Sequence, residues 1–262
     1  MKKRILSFLF IFLIVFSLFP QALCAPDISV ESDSAILFDV DQNSVLFEKE
    51  ANKKMHPASI TKVMTLLLAA ENCNFDDKLT VDNTCLLGMP SDAIIADFRQ
   101  GEEVTVKDLF MAAYLRSAND AAVLLACRVS GSVDKFVELM NARAKELGAA
   151  NTHFTNPTGL TDDNHYTTAS DLAKITAYAM NNELFKKIVS TKRYVLHRSS
   201  DECGQVILNN NKLLSSFEGA NGVKTGYTKK AGRCLVSSAT RDDMTVIAVT
   251  LDCGPMFEEC SR

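Results

Sequence analysis

Two stretches of the 262-residue chain place a serine three residues ahead of a lysine: Ser59-Ile60-Thr61-Lys62 and Ser132-Val133-Asp134-Lys135. On a helix, side chains at i and i+3 share one face, so either pair brings an amine towards a hydroxyl. A serine hydroxyl is a poor nucleophile until a nearby base takes its proton, and a neutral lysine one turn on is such a base. Lysine titrates at roughly 10.4 in water, so this chemistry requires burial and a second positive charge to disfavour the ammonium. The chemistry on offer is therefore nucleophilic catalysis by serine. The spacing alone does not select, since it arises twice. A lone serine in such a place is commonly a helix cap, and a lone lysine a solvated charge.

Two later segments choose between the pairs. Ser117-Ala118-Asn119 is the only S-x-N in the chain, and Lys224-Thr225-Gly226 is the only K-T-G. S-x-x-K, S-x-N and K-T-G, in that order and widely spaced, form the pattern of penicillin-binding proteins and serine β-lactamases. Ser59 precedes both later segments, whereas Ser132 follows the first. With the flanking stretches Pro57–Lys62, Ser117–Ala122, His153–Leu160, His165–Thr168 and Gly222–Thr228, the sequence from about residue 30 to about 255 resembles the D-alanyl-D-alanine carboxypeptidase family of low-molecular-mass penicillin-binding proteins.

That resemblance implies a β-lactamase/transpeptidase-like fold. It also implies removal of the terminal D-alanine from peptidoglycan pentapeptides ending in D-Ala-D-Ala, with β-lactam antibiotics as covalent inhibitors and no metal or cofactor. Ser59 is expected to attack the penultimate D-alanine carbonyl, its place at a helix start favouring the developing negative charge. The expected oxyanion hole comprises the backbone N–H groups of Ser59 and Tyr227, each such donor being worth about 10²–10³ in rate. Lys62 is the expected base, with Lys224 as the charge that depresses its pKa. Ser117 is expected to relay the proton to the leaving D-alanine and Asn119 to hydrogen-bond the substrate amide. Lys224 and Thr225 are expected to bind the terminal carboxylate, and Gly226 to let the substrate backbone lie along a strand edge. For His165 and Tyr166, loop packing and substrate contact both remain open. His56 reads as packing at the helix entrance, and Asp171 as a capping or hydrogen-bonding residue.

Three rival functions share some of these features. A class A β-lactamase carries an E-x-x-x-N segment between the second and third motifs. No such spacing occurs here, and Ala118 stands where S-D-N has aspartate, so slow deacylation is expected. A catalytically silent β-lactam sensor or wall-binding module has no need of Ser59, Lys62, Ser117 and Lys224 together. A D,D-endopeptidase cutting cross-links of similar geometry stays open.

The elements that must position these residues follow from periodicity and punctuation. Ala35 to Val40 and Ser44 to Phe47 read as a hairpin, and Pro57 precedes a helix over Ser59 to Ala70 whose first turn holds Ser59. After β-prone pieces at Lys78 to Val81 and Ala93 to Phe98, helices are expected at Val106 to Leu115, Asn119 to Val129, Val133 to Leu147 and Ala169 to Met180. Asn151 to Thr168 is a long polar loop, a kind that usually has a functional reason. Strands are expected at Arg193 to His197, Gln205 to Leu208, Gly222 to Thr225, Cys234 to Ser238 and Thr245 to Leu251. The fold class is α+β: a mixed sheet from both chain ends, packed with a largely helical middle.

Lys2, Lys3 and Arg4 precede the apolar run Ile5 to Phe19 and the small-residue stretch Ala22 to Ala25, which reads as a signal peptide over 1–25 leading to an exported domain over 26–262. About 15 apolar residues fall short of the roughly 20 of a spanning helix, and membrane association of the mature chain is not supported. Cleavage takes the formal charge from -4 to -7, which offers nothing to nucleic acid. Seven of the eight cysteines then remain, with no C-x-x-C, and the four histidines show no H-x-x-x-H spacing, so no zinc site is expected. Cys127 and Cys234 read as buried and inert. The resembled family closes its sheet with a C-terminal helix. Pro255 to Arg262 leaves room for about two turns, so that helix is expected to be cut short, exposing apolar sheet surface, with no β-rich second domain.

Overall fold

The sequence reading of a sheet drawn from both chain ends holds in the computed structural model, which describes residues 28–198 and 204–262. The leader expected over 1–25 and Cys203 lie outside these residues. In chain order the elements are β1 (Ser34–Asp39), β2 (Ser44–Lys49), a 3-10 turn at Ala58–Thr61, α1 (Lys62–Asn72), β3 (Lys78–Thr80), β4 (Glu103–Thr105), α2 (Val106–Leu115), α3 (Asn119–Ser130) and α4 (Val133–Glu146). They continue as α5 (Ala169–Ala179), α6 (Glu183–Val189), β5 (Arg193–Leu196), β6 (Gln205–Leu208), α7 (Leu213–Ser216), β7 (Ala220–Thr228), β8 (Gly232–Arg241), β9 (Met244–Leu251) and the single turn α8 (Met256–Glu259). Residues Glu31–Arg262 form one unit.

The main sheet has the order β2-β1-β9-β8-β7. Where the sequence reading has a mixed sheet, all four ladders are antiparallel. Short turns join β1 to β2, β7 to β8 and β8 to β9, and a connection that short permits only antiparallel neighbours. At the first of these turns the Asp39 carboxylate accepts the N–H groups of Asp41 and Gln42, both at 2.9 Å. Period-2 alternation puts Ile36, Val249 and Val236 side by side on the core face.

Three expectations need correction. β5 and β6 pair only with each other and stay outside the main sheet. Ala93 to Phe98 is irregular, because two of its backbone donors go to a side chain: Ala96 N–H (2.9 Å) and Phe98 N–H (3.2 Å) both reach the Asp120 carboxylate. α6 is an unexpected short helix, started by Asn182, whose Oδ1 accepts from the N–H groups of Leu184 and Phe185.

α1 is buried on nearly every side, from Val63 through Ala69, as its apolar sequence requires. It packs against α2, α3, α5 and α6. Truncating a leucine such as Leu67, which is wholly buried, costs on the order of 2–5 kcal/mol. The nucleophile candidate is therefore joined to a helix buried in the core. The flanking helices are closed by ordinary caps, including a capping box of Thr105 with Asp108 before α2 and left-handed Gly131 after α3.

Candidate active site

Ser59 does not sit in the first turn of an α-helix as expected. It lies in the 3-10 turn Ala58–Thr61, and α1 begins at Lys62. The loop over 153–168 presses on this turn at backbone distance: a Cβ on Gly159 (φ +82) would lie 1.8 Å from the Ala58 carbonyl oxygen. Side chains at i and i+3 eclipse in a 3-10 turn, so the tighter geometry still aligns Ser59 with Lys62.

Lys62 is 0 % exposed. Its Nζ is 2.8 Å from Asn119 Oδ1, 2.8 Å from the Thr158 carbonyl oxygen and 3.3 Å from Ser59 Oγ. Burial is the main force holding its pKa well below the ordinary lysine value, and the charge of Lys224 adds to it against a smaller opposing pull from Asp120. A neutral amine has two N–H donors and one lone pair. The two short contacts are to pure acceptors and consume both donors, which leaves the lone pair facing the Ser59 hydroxyl.

Lys224 is buried on β7, and its Nζ donates to the Thr225 carbonyl at 2.9 Å. Burial pushes its pKa down to about 7. β7 is an edge strand, and at Gly226 it passes close to the nucleophile turn. A Cβ there would meet Ser59 N and Ile60 N at 3.0 Å and the Pro57 carbonyl oxygen at 3.1 Å. A side chain there would have to push these backbone atoms back by a few tenths of an ångström, so glycine permits the approach without displacement. Ser117, between α2 and α3, has φ +61, a left-handed conformation that costs about 1–2 kcal/mol for a non-glycine residue. Its Oγ is buried without a hydrogen-bond partner.

These residues surround a cleft of about 270 Å³ lined by Ser59, Ser117, Thr225, Gly226 and Tyr227, the last of which is 64 % exposed. Lys62 and Lys224 are not among the lining residues and lie buried behind them. Asn119, expected to meet substrate, turns its Oδ1 onto Lys62 and is likewise not a lining residue. Sequence reading missed the rest of the wall: Ile94, Asn210, Arg233, Met256 and Phe257. Arg233 carries the only guanidinium among the described lining residues, and its Nη1 donates to the Gly254 carbonyl at 3.2 Å. No lining residue among those described is acidic. Asp120 also went unread, though a carboxylate in the apolar stretch after Asn119 was a visible signal. Besides Ala96 and Phe98 it organises the loop whose Ile94 carbonyl accepts the Asn119 N–H at 2.8 Å.

The other candidates lie elsewhere. Ser132 caps α4, with Oγ accepting the Lys135 N–H, and Lys135 is exposed, so the second S-x-x-K builds no base–nucleophile pair. His165 is 1 % exposed and packs under the nucleophile turn, while His56 Nδ1 contacts the His165 carbonyl oxygen at 2.9 Å. The Asp171 carboxylate accepts the Asn151 N–H at 2.7 Å and the Thr152 hydroxyl at 2.9 Å. The described cysteines form no disulfide; Cys234 is buried as expected, but Cys127 is only half-buried, and desolvation is the main cause that pushes both thiols up to about 12. Among the described residues no helix is long and apolar enough to cross a membrane.

Comparison with known proteins gives consistent likenesses. A family model described as D-alanyl-D-alanine carboxypeptidase matches residues 21–254. The chain is 37% identical over 259 residues to the D-alanyl-D-alanine carboxypeptidase DacF of Bacillus subtilis, covering 94% of this chain and 65% of that protein. It is 31% identical over 225 residues to the D-alanyl-D-alanine endopeptidase of Escherichia coli, covering 85% of this chain and 72% of that protein. The solved structure of the Streptomyces K15 DD-transpeptidase superposes with a TM-score of 0.81 at 32% identity, over 89% of this chain and 95% of that one. Penicillin-binding protein D2 of Listeria monocytogenes, in its cefotaxime-bound form, superposes with a TM-score of 0.78 at 28% identity, over 89% and 94%. The chain spans about two thirds or less of the length of the Bacillus subtilis relative and of the Escherichia coli carboxypeptidase DacC, 65% and 62%.

Proposed function

The chain belongs to the D-alanyl-D-alanine carboxypeptidase family, and from that premise we propose that it is a serine peptidase releasing the terminal D-alanine of peptidoglycan pentapeptides. The observation that carries the reading is the environment of Lys62, whose two short acceptors leave a lone pair on Ser59. Lys62 takes the Ser59 proton as Oγ attacks the penultimate D-alanine carbonyl. Oxyanion charge gathers at the backbone N–H groups of Ser59 and Tyr227, which the close passage at Gly226 supports. The unpartnered Ser117 hydroxyl gives its proton to the leaving amine and is reprotonated from the Lys62 ammonium. Water then cleaves the Ser59 ester.

In this proposal Thr225, Lys224 and the guanidinium of Arg233 receive the terminal carboxylate. Arg233 supplies the permanent charge, because Lys224 is only partly protonated near neutrality. β-Lactams acylate Ser59 in the same way. Deacylation is slow, since no carboxylate among the described lining residues is placed to activate water. Export through the leader over 1–25 belongs to the same proposal and rests on the charged and apolar runs of the sequence.

The test is D-alanine release from a D-Ala-D-Ala pentapeptide beside turnover of penicillin, for wild type and Ser59→Ala. Release lost in Ser59→Ala, with slow penicillin turnover, is the expected result. Rapid penicillin turnover makes the chain a β-lactamase. Cleavage confined to cross-linked dimers makes it an endopeptidase.

A further inference from the structure

We infer that His165 is a positioning residue for the acylation step, holding the nucleophile turn to the loop that binds Lys62. The inference rests on the acyl-transfer reading above and concerns a side chain outside the cleft. Nδ1 of His165 lies 3.1 Å from the Thr155 N–H, and a backbone amide can only donate. Nδ1 is therefore the acceptor nitrogen, and the ring proton sits on Nε2. That Nε2–H points at Thr61 Oγ1, 2.8 Å away, which accepts it. The tautomer is thus set by the fold, and the ring is a rigid spacer with one end on residue 155 and the other on residue 61.

Both ends matter to the chemistry. Thr61 directly precedes Lys62, ends the 3-10 turn and occupies the N-cap position of α1, and it is wholly buried. The segment that begins at Thr155 supplies the Thr158 carbonyl, one of the two acceptors that direct the Lys62 lone pair. It also supplies Gly159, which lies against the Ala58 carbonyl. The ring is held in turn by Phe154 in an edge contact at 5.7 Å and by its own backbone, whose N–H donates to the Asp162 carbonyl. Without the ring, the turn and the loop keep their other contacts but lose the buried strut that sets their separation. Displacements of about 1 Å near reacting groups cost on the order of 10²-fold in rate.

Two amide variants divide the two bonds. In His165→Gln the side-chain NH₂ reaches the place of Nε2–H and donates to Thr61. In His165→Asn the side-chain oxygen occupies the place of Nδ1 and accepts from Thr155, but nothing reaches Thr61. The measurement is the acylation rate constant and the binding constant for a fluorescent penicillin, beside the melting temperature. Each variant breaks the strut at one end, His165→Gln at Thr155 and His165→Asn at Thr61, so both are expected to lose about 10–10²-fold in that rate constant with little change in penicillin binding. A purely structural role is the conclusion if both variants acylate at the wild-type rate, or if the rate simply follows melting temperature. If neither variant folds, Thr61→Val and Thr61→Ser carry the same test, since only the second keeps an acceptor for Nε2–H. A wild type that penicillin does not acylate overturns the functional reading itself, which is a different outcome from wild-type acylation with unaffected variants.

Discussion

Replacing Asn119 by aspartate tests whether Lys62 works as a neutral amine. The wild-type Oδ1 is an uncharged acceptor 2.8 Å from Lys62 Nζ, and Asn119→Asp puts a full negative charge there with almost no change of shape. Two unit charges at 2.8 Å attract by about 6 kcal/mol at an effective dielectric of about 20, and by about 3 kcal/mol at about 40. Each ~1.4 kcal/mol shifts the proton equilibrium tenfold. Even the smaller figure raises the ratio of ammonium to neutral amine by about 10²-fold over wild type, and the neutral fraction falls. Acylation by a fluorescent penicillin, followed by stopped flow, is expected to slow at pH 7 by up to about that factor. It should recover as pH is raised, with a pH–rate profile displaced to the alkaline side. The melting temperature should change little, because the attraction of the new pair is offset by the cost of burying both charges. Wild-type acylation with an unshifted profile refutes the neutral-lysine argument. A loss of rate with no alkaline recovery refutes it equally and assigns Asn119 to the substrate.

The remaining predictions concern the strand edge and the carboxylate site. Gly226→Ala introduces a methyl 3.0 Å from Ser59 N and Ile60 N. Turn and strand must part, and acylation is expected to fall about 10–10²-fold, with about 1–3 kcal/mol lost in denaturant unfolding. Lys224 has its pKa pushed to about 7 by burial, so raising the pH past that value removes a charge that holds the substrate carboxylate. KM for the pentapeptide should climb above about pH 7, and a KM flat from about pH 6 to about pH 9 contradicts the assignment. Arg233→Ala should raise the same KM about tenfold with kcat little changed, the loss of one charge-assisted contact to a carboxylate, as read by steady-state D-alanine release.

Much of this was legible in the sequence because its causes are local. Hairpins announce themselves by alternation around Asp41-Gln42-Asn43, and α4 by Ser132 before it and Gly148 after it. The three motifs were found by order alone, without geometry. What was missed depends on distant partners. Nothing in Ala93 to Phe98 states that the Ala96 and Phe98 N–H groups go to Asp120 instead of a neighbouring strand. The pairing of β5 with β6 alone is decided by how the sheet closes, not by their β-prone composition. Arg233, Met256 and Phe257 reach the cleft only because β8 and α8 lie beside Tyr227, and the last two stand about 30 residues beyond the motif that marks the site in sequence. The turn at Ser59 read as α-helical because its residues permit a helix. Contact with Gly159 accompanies the tighter 3-10 form, and that contact joins Gly159 to Ala58, far apart in the chain.

The central claim is that Ser59 is the nucleophile and Lys62 its base. Its most direct test is intact-mass analysis and peptide mapping of the chain after brief exposure to penicillin, for wild type, Lys62→Met and Ser59→Ala. The account predicts one penicilloyl adduct, on the peptide carrying Ser59, greatly slowed in Lys62→Met and gone in Ser59→Ala. An adduct that persists in Ser59→Ala, or that maps to Ser132, contradicts it.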